Sequence, residues 1–197
     1  TKLVNVDRDL LMIPNLAIHM NREANNGYKY NPQKDLLPLF GEASGKGRFL
    51  KIIAEAGEVD EEAILGYDLF LYNRQPGTLW GADEEFLSMG RLDDLQCAFA
   101  SLKGFLTGAK EKYGAVQCVM DNEEVGSGTK QGAGSTFLFD VLFRIHKALG
   151  GDYEDYLRCV ADSFMISADN AHAVHPNYPD KADPVNRPYL NKGIVIK

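Results

Sequence analysis

The stretch from Val116 to Ser127 constrains this chain more than any other. A short apolar run, Val116 to Met120, reads as a buried strand. It ends abruptly in Asp121, Asn122, Glu123 and Glu124, and the turn Gly126-Ser127-Gly128 then leads into an amphipathic segment. Polar residues at the carboxyl end of a buried strand are where an open α/β sheet gathers its site. Two adjacent glutamates there repel each other unless a proton, a lysine or a metal intervenes. A metal gives them separate work: one binds the cation, the other handles a proton.

The 197 residues allow one large domain or two small ones around a substantial core. With 45% hydrophobic and 25% charged residues, the composition is that of an ordinary soluble protein. A formal charge of −7 with no basic cluster argues against a nucleic-acid partner or an anionic membrane surface. No apolar run reaches transmembrane length and no signal-peptide pattern opens the chain. Cys97, Cys118 and Cys159 are odd in number, widely spaced and set among apolar residues, as reduced thiols of a cytoplasmic protein would be.

The first part of the chain is irregular. Asn25-Asn26-Gly27 and Asn31-Pro32 mark turns, and 41–47 is a polar loop. Phe49, Ile52, Ile53 and Ala56 share one helical face in Arg48 to Ala56, which Gly57 closes. Ala63 to Tyr72 reads as a strand apolar on both faces, and the loop from Asn73 to Gly77 sets a domain boundary, giving domains 1–76 and 77–197. Beyond it the pattern becomes α/β. Leu92, Leu95, Phe99, Leu102 and Leu106 predict a helix from Asp94 to Lys112. Further helices are expected over Ser135 to Leu149 and Tyr153 to Phe164, the second capped by Asp152. Met165 to Ala168 reads as a second buried strand ending in a carboxylate, Asp169, and 193–197 as a short apolar strand.

Asp93, Glu123, Glu124 and Asp169 thus each fall at a strand–helix junction. Hard carboxylate oxygens suit divalent cations, and a pair of cations bridged by one carboxylate needs about this many. The competing assignment for each is a helix N-cap or a solvated loop charge. His172 and His175 follow Asp169 directly, whereas His146 falls late in a helix as a favourable partner of the dipole. His19, between apolar neighbours, reads from its surroundings as a core histidine. Gly126 to Lys130 resembles a phosphate loop only superficially, because Lys130 follows Thr129 and the Walker spacing fails.

Asp-Asn-Glu-Glu-Val-Gly-Ser at 121–127 resembles the signature of the aspartyl aminopeptidase family of two-metal exopeptidases. Gly-Arg-Leu-Asp-Asp-Leu (90–95), Ile-Pro-Asn-Leu-Ala-Ile-His (13–19), Ser-Ala-Asp-Asn-Ala-His-Ala-Val-His-Pro-Asn-Tyr (167–178) and Lys-Gly-Ile-Val-Ile-Lys (192–197) are similar to that family's other blocks, in its order. The resemblance implies an α/β fold: part of a mixed-sheet zinc-exopeptidase catalytic domain with helices on both faces, plus a smaller β-rich lid and dimerisation domain over 1–76. It implies two zinc ions, replaceable by cobalt or manganese, and hydrolysis of the N-terminal residue, aspartate or glutamate among the candidates, from peptides. By position, Asp93 would bridge the metals, Glu124 and Asp169 would be terminal ligands, and Glu123 would be the general base. His172 and Lys197 would contact substrate, and His19 would do so from a neighbouring subunit of a homo-oligomer, dimers building a dodecamer.

Two departures stand out. The family's two histidine ligands lie in blocks that this sequence does not contain, and Asn15 replaces a histidine in the Ile-Pro block. The expectation is therefore a central portion of such an enzyme, with three of the family's five ligands. A non-catalytic assembly or regulatory fragment is the alternative, and zinc content separates the two.

Overall fold

The computed structural model describes residues 1–109 and 113–196. The chain divides into two compact units, Thr1–Arg74 and Gln75–Lys197.

In the first unit, α1 (Pro32–Asp35) is a single turn whose start is set by the Asn31 side chain, which accepts from the Gln33 N–H at 3.1 Å. Pro32 sits where its missing N–H costs nothing. The expected amphipathic helix is α2 (Phe49–Gly57). Ala54 is its buried centre, and Phe49 meets Phe40 and Tyr67 edge-on at centroid distances of 6.2 and 6.0 Å. The helix closes at Gly57, as its position in the sequence implies. Gly57 is still helical and buried, and a Cβ there would lie 3.3 Å from Val4. Glu58 takes the left-handed position instead, φ 51°, and its N–H caps the Ala54 and Glu55 carbonyls. The N-terminal segment is tied down by side chains: Arg74 reaches Asp7 at 2.8 Å and Asp9 at 2.5 Å, and the Tyr72 hydroxyl donates to Asn5 at 2.9 Å. These two carboxylates, Asp7 foremost, raise the already high pKa of the Arg74 guanidinium.

The strand expected over Ala63 to Tyr72 does not form. Glu61–Ala63 is a 3-10 turn, residues 64–72 join no ladder, and Leu65 and Phe70 are 100% and 87% exposed. Among the described residues of this unit, the strand-like pairing is one bridge, Met12 with Leu39. The β-rich character expected for 1–76 is therefore not observed.

The second unit opens with a hairpin, β1 (Thr78–Trp80) and β2 (Phe86–Ser88), antiparallel in the register Thr78–Ser88, Leu79–Leu87 and Trp80–Phe86. Trp80 packs on Phe86 at 4.7 Å, and its Nε1–H donates to the Ser88 hydroxyl. Three helices follow: α3 (Leu92–Thr107), α4 (Phe137–Ala148) and α5 (Tyr153–Ala161). The Asp152 cap is as expected, accepting from the Asp155 N–H at 2.9 Å. Packing of α4 on α5 centres on Tyr156, 3% exposed, against Phe139, Phe143 and His146. Its hydroxyl donates to the Phe139 carbonyl at 3.0 Å.

The molecule is α/β with a small sheet. The larger mixed sheet is not assembled among the described residues. Val116–Met120, Met165–Ala168 and the described part of 193–197 have no ladder partner, and Val119, Ile166 and Ile194 are 62%, 81% and 92% exposed. A strand is made by its neighbour's hydrogen bonds and covering side chains, and none runs beside these segments. The apolar stripe of α3 is likewise uncovered: Leu95, Phe99, Leu102 and Leu106 are exposed, while Cys97, Ala98, Ser101 and Phe105 are half-buried. The helix expected to reach Lys112 stops at Thr107, because Gly108 is extended there; residues 110–112 lie outside the described residues.

Tyr156→Ala removes the ring on which α4 and α5 meet and is expected to destabilise the protein by about 3 kcal/mol, whereas Tyr156→Phe costs about 1 kcal/mol. Denaturant unfolding of the three forms measures both, and equal stability would show that the helices are held elsewhere.

Candidate metal centre

The centre forms at the start of α3. Arg91 is left-handed, φ 64°, and Asp93 and Asp94 have non-helical dihedrals, joined by a cis peptide bond. The chain is thus kinked where the two aspartates leave it, and regular helix follows. Asp169 comes from the segment after Met165–Ala168. Oxygen atoms of Asp93, Asp94 and Asp169 all lie within 4.8 Å of one another. Helix capping does not explain Asp93: α3 has no side-chain cap hydrogen bond at its N-cap.

Zinc lies about 2.0–2.2 Å from carboxylate oxygen, so two oxygens on one ion are at most about 4.4 Å apart. Three oxygens on one ion lie at most about 3.8 Å apart in pairs, so the three carboxylates would close by up to about 1 Å to share a cation. A second observation agrees: Asp94 Oδ1 is buried and has no hydrogen-bond partner. Leaving a buried carboxylate oxygen unmatched is costly, and a cation would satisfy it. The donors are hard oxygens, which suit divalent ions in general. The residues present fit a divalent metal.

Around the trio, Cys97 Sγ lies 2.9 Å from Asn170 Oδ1, and Asn170 Nδ2 lies 3.4 Å from the Leu92 carbonyl. Burial, then the hydrogen bond and charge of Asp94, push the Cys97 thiol above its ordinary pKa, with Asp169 and Asp93 adding to the rise. Cys97 stays a thiol and serves as a donor.

Glu123 and Glu124 are exposed and stand outside the trio. They belong to a loop, 121–134, held by its own hydrogen bonds. Asn122, left-handed at φ 61°, donates through its side-chain amide to Thr129 Oγ1 at 3.1 Å and to Gln131 Oε1 at 3.2 Å. The Asp121 N–H donates to the Gln131 carbonyl, and the Gly134 N–H to the Ser127 carbonyl at 2.9 Å. Gly126 has φ 123°, open to glycine at no steric cost. A Cβ on buried Gly132 would lie 2.4 Å from the Ser127 carbonyl oxygen. This loop is the tight turn expected after the glutamates, not a phosphate cradle.

His172 is exposed, and His175, also exposed, packs on Tyr178 and accepts the Asn177 N–H at its Nδ1. His146 is half-buried beside Tyr156 in the α4–α5 contact. His19, in the first unit, is exposed on a turn and is no core histidine. Lys197 lies outside the described residues. The structure therefore gathers Asp93 with Asp169, as the sequence suggests, and adds Asp94, Cys97 and Asn170. Adjacency to Asp93 and Asp169 was the available signal for Asp94 and Asn170. Cys97, one turn beyond Asp93, reads in sequence as an ordinary buried thiol.

Gly132→Ala is expected to break the Gly134–Ser127 hydrogen bond. Losing a bond of about 1 kcal/mol speeds Gly134 amide exchange about fivefold. Unchanged exchange would show that the loop is held without the close approach at Gly132.

A family model described as aminopeptidase I zinc metalloprotease (M18) matches residues 1–197. A probable M18 family aminopeptidase 2 of Clostridium acetobutylicum is 50% identical over 202 residues, covering 100% of this chain and 46% of that protein. In the cryo-EM structure of the Ape4 and Nbr1 complex, one chain matches with 33% identity and a TM-score of 0.78, over 96% of this chain and 41% of that one. The mApe1 dodecamer of S. cerevisiae matches with 26% identity and a TM-score of 0.70, over 94% of this chain and 43% of that one. The chain spans about half the length of the curated relatives it matches.

Proposed function

This chain belongs to the aminopeptidase I zinc metalloprotease (M18) family, and we propose that it is the metal-binding portion of an aminopeptidase that hydrolyses the N-terminal residue from peptides. The observation that carries this reading is the gathering of Asp93, Asp94 and Asp169, with a buried Asp94 oxygen left unmatched. Residues 77–197 would supply part of the catalytic domain and residues 1–76 a lid and dimerisation domain.

Asp93 and Asp169 would hold zinc from the trio, Asp93 as the bridging carboxylate of a two-ion centre, and Glu124 would complete the carboxylate set. Cobalt or manganese are the expected substitutes. Bound zinc would supply Lewis-acid charge, acidifying water and stabilising the oxyanion of the attacked carbonyl. Glu123, in the rigid loop and outside the trio, takes the proton from the attacking water and passes it to the leaving amine. A base of this kind has to be near the cations without being a ligand, and adjacent glutamates divide those roles. His172 and Lys197 would orient the peptide.

An exposed His19 suits a role at a neighbouring subunit's site, and likeness to a dodecameric mApe1 supports a homo-oligomer of dimers. Exposed, unpaired Cys118 and Cys159 suit a reducing compartment such as the cytoplasm. No helix among the described residues is long and apolar enough to cross a membrane. Preference for an N-terminal aspartate or glutamate is the finest part of the proposal.

Glu123→Gln in the intact protein is expected to lower kcat by about 10²–10⁴-fold and leave bound zinc unchanged, because the amide keeps the shape but takes no proton. Asp93→Asn is expected to lose zinc and activity together. Metal analysis alongside release of an N-terminal aspartate decides both, and a Glu123→Gln form that turns over normally removes Glu123 from the base role. Mixing His19→Ala subunits with Glu123→Gln subunits tests the action of His19 across an interface. Verified mixed assemblies should regain part of the activity, since some sites then hold both native residues; no recovery rules that action out.

A further inference from the structure

The geometry points to Asn170 as a positioning residue that pins the Asp169 segment to the chain on both sides of Asp93 and Asp94, holding the three carboxylates together before any cation arrives. This rests on the metal-centre reading above.

Asp169 and the Asp93–Asp94 pair come from segments far apart in sequence, and like charges brought within 4.8 Å push those segments apart. Asn170 is one group that joins them without adding negative charge. Asn170 directly follows Asp169, is half-buried, and presents both ends of its amide to the other segment. Its Nδ2 lies 3.4 Å from the carbonyl of Leu92, the residue before Asp93. Its Oδ1 lies 2.9 Å from Sγ of Cys97, one helical turn beyond Asp93. One side chain therefore brackets the kinked Asp93–Asp94 step, with a long bond before it and a shorter one after it. A primary amide offers a donor and an acceptor on separate atoms without adding a fourth negative charge. The Cys97 thiol, which also faces Asp94, has its single proton within reach of the Asn170 oxygen for the shorter bond.

Partners that orient metal ligands from outside typically control metal affinity by about 10–100-fold when removed. The test is zinc affinity of the intact protein, by competition with a chelating indicator, together with the melting temperature of the metal-free form. Asn170→Ala is expected to weaken zinc binding about tenfold or more. Cys97→Ala, which removes the donor of the shorter bond, should weaken it in the same direction. Cys97→Ser restores a donor and should recover most of the affinity. The double variant Asn170→Ala/Cys97→Ala should bind no more weakly than Asn170→Ala alone, since both act through one bracket.

A general loss of packing lowers the metal-free melting temperature and is not rescued by serine. Cys97→Ser binding as weakly as Cys97→Ala therefore overturns the proposal, even if Asn170→Ala is too unstable to assay. Native zinc affinity in both Asn170→Ala and Cys97→Ala overturns it as well, while leaving the metal centre intact. A wild-type protein that fails to bind zinc overturns the metal centre and the bracket together.

Discussion

Three carboxylates within 4.8 Å of one another define what this chain has to achieve. Each pair repels by about 1 kcal/mol in water and about 3.5 kcal/mol at the dielectric typical of a protein surface. Folding toward that arrangement is opposed by its own electrostatics until a cation enters. The local backbone answers with a kink at Asp93–Asp94, which turns both side chains out of the helix start, and with the neutral Asn170 amide across the gap. Negative charge gathered in this way is what a divalent ion would neutralise.

Keeping the proposed base apart from these ligands is a separate problem, solved by a separate loop. Glu123 and Glu124 lead into 121–134, where Asn122 grips Thr129 and Gln131 and Gly132 lies under the Ser127 carbonyl. A carboxylate in a stiff loop keeps its distance from the trio without needing a partner of its own.

Local signals in the sequence were legible because they rest on local physics. α2, α4 and α5 fall where the apolar spacing put them, and the Asp152 cap is made as its position implied. Gly57 closes α2 as its position implied, and its own value there is the close approach of Val4, the left-handed position falling to Glu58. Long-range pairing was not legible. Val116–Met120 and Met165–Ala168 carry strand composition, but composition does not supply a neighbour, and both remain exposed and unpaired. At the site, Asp93 and Asp169 stand out by their position at element ends. Asp94 and Asn170 matter through geometry that only the folded kink reveals.

The uncovered stripe of α3 follows from this division. Leu95, Phe99, Leu102 and Leu106 have the spacing of a core face, yet the side of α3 that packs is Cys97, Ala98, Ser101 and Phe105. The helix has two faces with two duties. Cys97 and the Leu92 carbonyl meet the Asn170 side chain, while Leu95, Phe99, Leu102 and Leu106 stay exposed. Only small side chains let the Asn170 segment come close enough for its amide to reach Cys97.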